Sequence, residues 1–223
     1  MLEGIALDGK RALDFGCGLG GTCHYLAQNN AVDMTGIDIN PWLIDRAKLE
    51  IPPNLKGQVG FTLNTDNTKL PFSDETFDVI LSKGVLCHVE DKKPLFAEFY
   101  RILKQGGCLV INDWLSRAQG EWGENVQKMV ELEGLSIFAE TLKRYRELLA
   151  QAQFHQIEWI DRSLQYAAYN EAIVENLQKG DSGKEFLKQF GSKLHIEAIE
   201  GYGAIAKAMR TGEGLVIQIR GLK

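Results

Sequence analysis

The sequence lacks features that mark several large classes of protein. None of its apolar runs approaches the roughly 18 residues that a membrane-spanning helix needs, and the opening residues, MLEGIALDGK, do not form a signal peptide. It has no basic excess either, because 25 lysines and arginines stand against 30 aspartates and glutamates, which gives a net charge of −5. We therefore expect no membrane span and no general binding of nucleic acid, whose phosphates attract basic surfaces.

Cysteine is scarce as well. The four cysteines, Cys17, Cys23, Cys87 and Cys108, do not have the paired spacing of a zinc site, and we expect no bound metal. Because no secretory signal is seen, we expect them to be reduced thiols of a cytoplasmic protein. The chain has 223 residues, of which 44% are hydrophobic, so it can bury a core without disulfides or metal ions.

Short apolar strands alternate with helices in the first half of the chain. Strands are predicted at residues 11–15, 33–37, 59–63, 77–81 and 108–111. Helices are predicted at about 22–28, from Pro41 onwards, and at about 93–103, where the pair Gly106–Gly107 would stop the helix. The strand–helix–strand order predicts parallel crossovers, and thus a doubly wound α/β sheet.

The second half is mostly helical. Helices are predicted at about 123–132, 138–151, 164–178 and 184–209, and strands at 155–160 and 215–219. Two helices thus separate the last two strands, which predicts a helical cap inserted before the final strand. We predict a single domain over residues 1–223, with a core half at 1–112 and helical cap segments at 113–153 and 161–210.

A glycine-rich turn, GCGLGG at residues 16–21, follows the first strand. It fits the G-x-G-x-x-G pattern of dinucleotide-binding proteins and, together with Asp14, also the pattern D-x-G-x-G-x-G. In both, the missing Cβ atoms let a ligand lie against the backbone. Asp38 ends the second strand, where a carboxylate can accept both hydroxyls of a ribose. Taken alone, these residues also fit a nicotinamide-dependent dehydrogenase, or a structural turn followed by an ordinary exposed carboxylate.

Four motifs in order distinguish these interpretations. They are ALDFGCGLGG at 12–21, GIDI at 36–39, LPF at 70–72 and LKQGG at 103–107, with Gln105 where proline is usual. As a set they resemble the class I S-adenosylmethionine-dependent methyltransferases, whereas a dehydrogenase leaves the last two motifs unexplained. The resemblance covers residues 11–112 and implies S-adenosylmethionine as the cofactor. It also implies a seven-stranded, mostly parallel sheet whose last strand is antiparallel.

The resemblance assigns a role to each matching residue. Asp14 would meet the amino-acid end of the cofactor, Ile39 would pack on the adenine, and Asp66 with Asn67 would bind the adenine edge. Core packing remains the alternative for Ile39, and a solvated side chain the alternative for Lys83. The candidate cofactor-binding residues are Asp14, Gly16, Cys17, Gly18, Asp38, Ile39, Asp66, Asn67 and Lys83.

The motifs LSKGVLCH at 81–88 and INDW at 111–114 extend the resemblance to the phosphoethanolamine N-methyltransferases and related small-amine enzymes. This implies a small-molecule acceptor, and a role for His88 in deprotonating its amine, for which an imidazole is suited. The alternative is a histidine that orders its loop by hydrogen bonding. Trp114 is the candidate for substrate contact, although aromatic residues in the helical half are more often part of a core.

The sequence departs from that subfamily at three places. Gly84 stands where an acidic residue is usual, Glu133-Gly-Leu135 stands at the Arg-x-Tyr phosphate clamp, and only residues 1–10 precede the first strand, so we expect the family's N-terminal lid to be missing. These departures disfavour phosphoethanolamine itself as the acceptor. An O- or C-methyltransferase, or a non-catalytic relative that binds the cofactor, remains an alternative, and the oligomeric state is left open.

Overall fold

The computed structural model describes residues 1–134 and 136–223, and Leu135 of the Glu133-Gly-Leu135 segment lies outside them. The chain divides into two compact units. The first consists of Met1–Asp113, Arg146–Trp159 and Gln218–Lys223, and the second of Trp114–Tyr145 and Ile160–Ile217. The single-domain organisation with a cap, as predicted from the sequence, stays a prediction.

The described residues form a seven-stranded sheet with helices between the strands. Its strands are β1 (Arg11–Phe15), β2 (Asp33–Asp38), β3 (Val59–Leu63), β4 (Phe77–Lys83), β5 (Leu103–Ser116), β6 (His155–Asp161) and β7 (Gly214–Leu222). The helices of the first half are α1 (Gly21–Asn29), α2 (Pro41–Leu49) and α3 (Lys92–Ile102). The strand order is β3-β2-β1-β4-β5-β7-β6, and β1 to β5 pair in parallel.

The final strand reverses direction. At its end, the Lys223 N–H donates to the Gly107 carbonyl, and the Gly106 N–H donates to the Lys223 carbonyl, both at 3.0 Å. The end of β7 therefore lies beside the beginning of β5, so the two strands are antiparallel. This arrangement confirms the predicted α/β fold class, a doubly wound seven-stranded sheet that is parallel except at its last strands.

Local sequence explains where the helices begin. Asn40 accepts hydrogen bonds from the backbone N–H groups of Trp42 (3.0 Å) and Leu43 (3.4 Å), which caps α2, and Pro41 occupies the first turn. Asp91 caps α3 in the same way by accepting from the Lys93 N–H at 3.0 Å. Both caps lie at the edge of the sheet where the parallel strands end.

The boundary between α3 and β5 differs from the prediction. The helix ends at Ile102 and the strand begins at Leu103, so Gly106 and Gly107 lie inside the strand and do not stop the helix. A Cβ on Gly107 would fall 2.8 Å from the Lys104 carbonyl oxygen. It would also fall 3.1 Å from the Asp78 carbonyl oxygen, so Gly107 allows a close approach to the backbone of β4, whereas Gly106 has a φ of +72°, which favours glycine.

The second unit is mainly helical. It contains α4 (Glu124–Glu133), α6 (Ser163–Lys179) and α7 (Asp181–Thr211), and the chain leaves it for the first unit within α5 (Leu142–Gln151). The helix α7 is broken at Gly191, whose φ of +83° is not helical, where the sequence predicted one continuous helix. None of the helices among the described residues has both the length and the apolar character needed to cross a membrane.

Candidate functional site

The polar residues predicted from the sequence converge at one edge of the sheet. The strands β1, β2 and β4 are parallel neighbours, so their carboxyl ends meet there. Asp14 lies near the end of β1, Asp38 ends β2, and Lys83 ends β4. The glycine-rich turn follows β1 at the same edge, and residues from three separate stretches of sequence therefore surround it.

The glycine-rich turn has a conformation that favours glycine. Gly16, Gly18 and Gly20 have φ angles of +77°, +54° and +79°. A Cβ on Gly16 would fall 2.3 Å from the side chain of Val85, and one on Gly20 would fall 2.3 Å from the ring of Phe61. A Cβ on Gly18 would meet no atom within 4 Å. Gly16 and Gly20 are thus required by packing, whereas Gly18 borders open space.

Asp38 is held in a defined orientation by backbone donors. Its Oδ2 accepts from the Gly18 N–H and its Oδ1 accepts from the Asn40 N–H, both at 2.9 Å. Each carboxylate oxygen can accept more than one hydrogen bond, so both can accept a further hydrogen bond from a ligand. This geometry suits a pair of neighbouring hydroxyl groups, as on a ribose.

A cavity of about 240 Å³ opens beside Asp38. Apolar walls face a polar edge across it, an arrangement that suits a flat heterocycle with a polar rim. Ile39, one wall residue, is 61% exposed, which agrees poorly with the core-packing alternative. The first cavity is lined by Phe15, Gly16, Ile37, Asp38, Ile39, Asn64, Asn67, Val85, His88 and Val89.

Asn64 is a candidate residue that the sequence reasoning missed. It is 7% exposed and lines the first cavity. Its side-chain amide donates to the Asp66 carbonyl at 3.1 Å and lies 3.4 Å from Oδ1 of Asn67, so it organises the loop after β3. The sequence could have indicated Asn64 by its position directly after the third predicted strand.

Asp66 and Asn67 are placed differently by the structure. Asn67 lines the first cavity, whereas Asp66 is exposed and does not occur among the residues that line either described cavity. The Asp66 carboxylate accepts from the hydroxyl of Thr68 at 2.6 Å and from its N–H at 2.8 Å. These bonds lower the pKa of Asp66. A part for Asp66 in ligand binding stays a prediction.

A second cavity, of about 510 Å³, meets the first at Gly16. It contains a carboxylate from Asp14 and an ammonium group from Lys83, so it presents both signs of charge. The second cavity suits the zwitterionic end of an amino acid, whereas the first cavity suits a heterocycle. The second cavity is lined by Asp14, Gly16, Cys17, Gly18, Gly21, Thr22, Tyr25 and Lys83.

Asp14 is the buried acid of this second cavity. It is 3% exposed, and this burial raises its pKa from 3.8 to about 6. The hydrogen bond from the Cys23 thiol, at 3.6 Å, and the positive charge of Lys83 oppose that rise only in part. A cationic ligand group beside Asp14 would favour its ionised form, so the site is suited to an ammonium ion.

His88 lies at the mouth of the first cavity. It ends the short 3₁₀ turn Leu86–His88 after β4, and its side chain is exposed. Together with Val85 and Val89 it lines the first cavity, so its imidazole is available to a molecule bound there. The position is compatible with the predicted base and with the alternative of a histidine that orders its loop.

Trp114 belongs to the second unit and packs there. Its ring meets that of Tyr166 edge-on, with centroids 6.0 Å apart. Both are half-buried against a cluster that includes Met129 and Ile205. Packing in a core therefore accounts for part of the Trp114 surface, and its predicted contact with the substrate stays a prediction.

A family comparison decides the class. Residues 13–111 match the model of the methyltransferase domain family. The matched segment contains the glycine-rich turn, Asp38, the loop after β3 and the His88 turn. This match, together with the relatives below, supports a class I S-adenosylmethionine-dependent methyltransferase.

Curated relatives agree with this family. The methyltransferase is 31% identical over 205 residues to a phosphoethanolamine N-methyltransferase of Triticum aestivum, which covers 92% of this chain and 39% of the relative. It is 28% identical over 198 residues to a phosphoethanolamine N-methyltransferase of Plasmodium falciparum, covering 87% of this chain and 71% of the relative. The chain thus spans about two fifths of the length of the plant relatives that it matches.

A solved structure has the same fold. Haemonchus contortus phosphoethanolamine N-methyltransferase 2, in complex with phosphomonomethylethanolamine and S-adenosylhomocysteine, superposes with a TM-score of 0.88. The superposition covers 99% of this methyltransferase and 50% of that chain, at 20% sequence identity. At this identity the likeness supports the fold alone.

The residues of the two cavities fit S-adenosylmethionine, which is the cofactor of this methyltransferase. An adenosyl group requires a site for a heterocycle and a ribose, and a methionyl group requires paired charges. The first cavity offers Ile39 and Asp38 for the former, and the second offers Asp14 and Lys83 for the latter. The open space at Gly18 leaves room for a ligand to lie along the turn.

Proposed function

We propose that this protein transfers the methyl group of S-adenosylmethionine to an amine nitrogen of a small molecule. The observation that carries the proposal is the Asp38 carboxylate, oriented by the Gly18 N–H at 2.9 Å, beside two cavities that meet at Gly16. One cavity suits a nucleoside and the other a zwitterion, which are the two ends of this cofactor. The family match supports the same assignment.

The cofactor site is proposed to use charge and shape together. Asp38 accepts hydrogen bonds from the ribose hydroxyls, Asp14 pairs with the ammonium group, and Lys83 pairs with the carboxylate. Ile39 covers one face of the adenine, while Asn67, supported by Asn64, meets its edge. The proposed set is Asp14, Gly16, Cys17, Gly18, Asp38, Ile39, Asn64, Asp66, Asn67 and Lys83. When bound, the cofactor supplies an electrophilic methyl group on a sulfonium.

His88 is the proposed base. An amine attacks only with a free lone pair, so the acceptor must lose a proton if it arrives as an ammonium ion. An imidazole titrates near neutral pH and can take that proton. His88 is exposed at the cavity mouth, where a bound acceptor could reach it. Holding the two reactants in line and excluding water would supply most of the remaining acceleration.

The acceptor is proposed to be a small amine without a phosphate group, with Trp114 contributing to its site. The relatives named above methylate phosphoethanolamine, according to their names. Here Glu133-Gly-Leu135 aligns approximately with their Arg-x-Tyr phosphate clamp, so the sequence lacks the arginine that would pair with a phosphate dianion. A cytoplasmic location belongs to the same proposal.

Calorimetry tests the cofactor assignment. S-adenosylhomocysteine should bind, and NAD should not, because the second cavity presents charges for an amino acid. Asp38→Ala should weaken S-adenosylhomocysteine binding by about tenfold or more, since two ribose hydroxyls lose their acceptor. Asp33→Ala, an exposed acid at the other end of β2, is the matched control. Tighter binding of NAD, or equal affinity in the Asp38 variant, would contradict the assignment.

A screen with methyl-labelled cofactor tests the acceptor. Ethanolamine and glycine derivatives should be methylated faster than phosphoethanolamine, while phenols should not react. Label in phenols alone would make the protein an O-methyltransferase. Binding of S-adenosylhomocysteine with no product from any acceptor would support a non-catalytic relative. His88→Ala should lower turnover with cofactor affinity nearly unchanged, and full activity in that variant would remove the base role.

A further inference from the structure

Both chain neighbours of His88 are held by buried charged side chains. On one side, the Cys87 N–H donates to Oδ1 of Asp113 at 3.2 Å. On the other side, the Lys92 ammonium donates to the Val89 carbonyl at 2.7 Å. His88 therefore lies between two backbone groups that are each tied to a charge, one from the end of β5 and one from the start of α3.

These two charges are almost completely removed from solvent. Asp113 is 1% exposed and Lys92 is 2% exposed. Both act electrostatically on the thiol of Cys87, which is itself buried, so opposite charges share one small region of the protein. Buried charges are expensive to desolvate, so their presence here is weak evidence of added stability, and in some proteins such groups fix a particular arrangement.

The rest of the His88 turn is fixed by backbone bonds. The His88 N–H donates to the Val85 carbonyl at 2.9 Å, and the Val89 N–H donates to the Leu86 carbonyl at 3.0 Å. The Gly84 N–H donates to the Asn112 carbonyl at 2.8 Å, which attaches the beginning of the loop to β5. His88 is exposed in this turn and lines the first cavity together with Val85 and Val89.

We propose that Asp113 and Lys92 are positioning residues that hold the imidazole of His88 in a single orientation against the first cavity. Asp113 acts through the Cys87 backbone and Lys92 acts through the Val89 backbone. The inference rests on the proposed function at one point only, which is that the fixed orientation of His88 serves catalysis. Both side chains are buried, and neither occurs among the residues that line the first cavity.

Nuclear magnetic resonance of ring-labelled histidine tests the orientation without an acceptor. The signal of His88 is assigned by its loss in His88→Ala. In Lys92→Met and in Asp113→Ala, the His88 signal should shift or broaden, while the signals of His24, His155 and His195 stay unchanged. Asp113→Asn keeps an oxygen for the Cys87 N–H and should show a smaller change than Asp113→Ala.

Lys223→Met is the matched control. Lys223 is 9% exposed and donates to a backbone carbonyl, that of Arg101, at 3.4 Å. The control should leave the His88 signal unchanged. S-adenosylhomocysteine affinity, measured by calorimetry, should stay within about twofold in every folded variant. If the His88 signal has the same position and width in Lys92→Met, Asp113→Asn and the wild type, the inference is overturned, even if Asp113→Ala does not fold.

Kinetics separate this inference from the base role. With an amine that the labelled screen shows to be methylated, Lys92→Met should lower kcat about tenfold to 100-fold with little change in the KM for the cofactor. Adding Lys92→Met to His88→Ala should have almost no further effect on kcat, because both substitutions act through the same imidazole. If the effects of the two substitutions on kcat were fully additive, the positioning role would be overturned. An active His88→Ala would remove the base role and leave the resonance result to decide the orientation.

Discussion

Replacing Asp14 by asparagine should stabilise the folded protein at neutral pH while weakening its binding of the cofactor. Burial raises the pKa of Asp14 from 3.8 to about 6. Each pKa unit corresponds to about 1.36 kcal/mol, so ionising this carboxyl in the folded protein costs about 3 kcal/mol relative to the unfolded chain. Asparagine has nearly the same shape and no charge, and it avoids this cost.

The sign of the pH dependence follows from the direction of the shift. A carboxyl whose pKa is raised on folding contributes its full stability below pH 3.8 and loses it as the pH rises through about 6. The Asp14→Asn variant should therefore match the wild type near pH 4. Its free energy of unfolding should exceed that of the wild type by up to about 3 kcal/mol above pH 6.

Urea unfolding at steps from pH 4 to pH 8 measures this difference. Asp33→Asn, an exposed acid on β2, is the control and should show a difference that does not grow over this range. Calorimetry on the same samples should show weaker binding of S-adenosylhomocysteine in the Asp14 variant. In the wild type that binding should strengthen from pH 5 to pH 7 as Asp14 ionises. A wild type that is more stable than the variant at pH 7 would refute the reasoning.

Three further predictions concern the cofactor site. Gly16→Ala should destabilise the protein more than Gly57→Ala in urea unfolding. Both glycines have a positive φ, but only at Gly16 would the added Cβ meet another side chain, that of Val85, at 2.3 Å. Equal losses of stability would show that backbone strain alone matters. Asn64→Ala should weaken S-adenosylhomocysteine binding severalfold by calorimetry, since it removes support from Asn67. Asp66→Ala should weaken this binding less than Asn64→Ala does, and a larger loss of affinity would indicate that Asp66 contacts the cofactor.

The order of strands and helices could be predicted because it depends on local patterns. Apolar runs such as residues 11–15 and 77–81 need no partner to be identified as strands, and glycine marks the turn after the first. The boundary at Leu103 was wrong because the place of Gly107 depends on its close approach to the Asp78 carbonyl of β4, which is distant in sequence. The break in α7 at Gly191 was missed, since one glycine in a helical pattern does not by itself indicate an interruption.

The site was predicted in part. Asp14, Asp38 and Lys83 lie at or near the ends of strands that must meet in a parallel sheet, so their convergence followed from topology. Asn64 was missed because an asparagine after a strand is common in loops, and only its burial distinguishes it. Asp66 was included on its position alone, and its hydrogen bonds to Thr68 could not be deduced from sequence.

The amino-acid sequence alone determined the α/β class, the glycine-rich turn and the acid that ends β2, because these depend on neighbouring residues and on motif spacing. Tertiary structure decided which polar groups are deprived of water. The raised pKa of Asp14 and the enclosure of Asp113 and Lys92 around the His88 turn arise from contacts between segments far apart in the chain. Burial is a property of packing, and packing is settled only when the strands and helices are assembled.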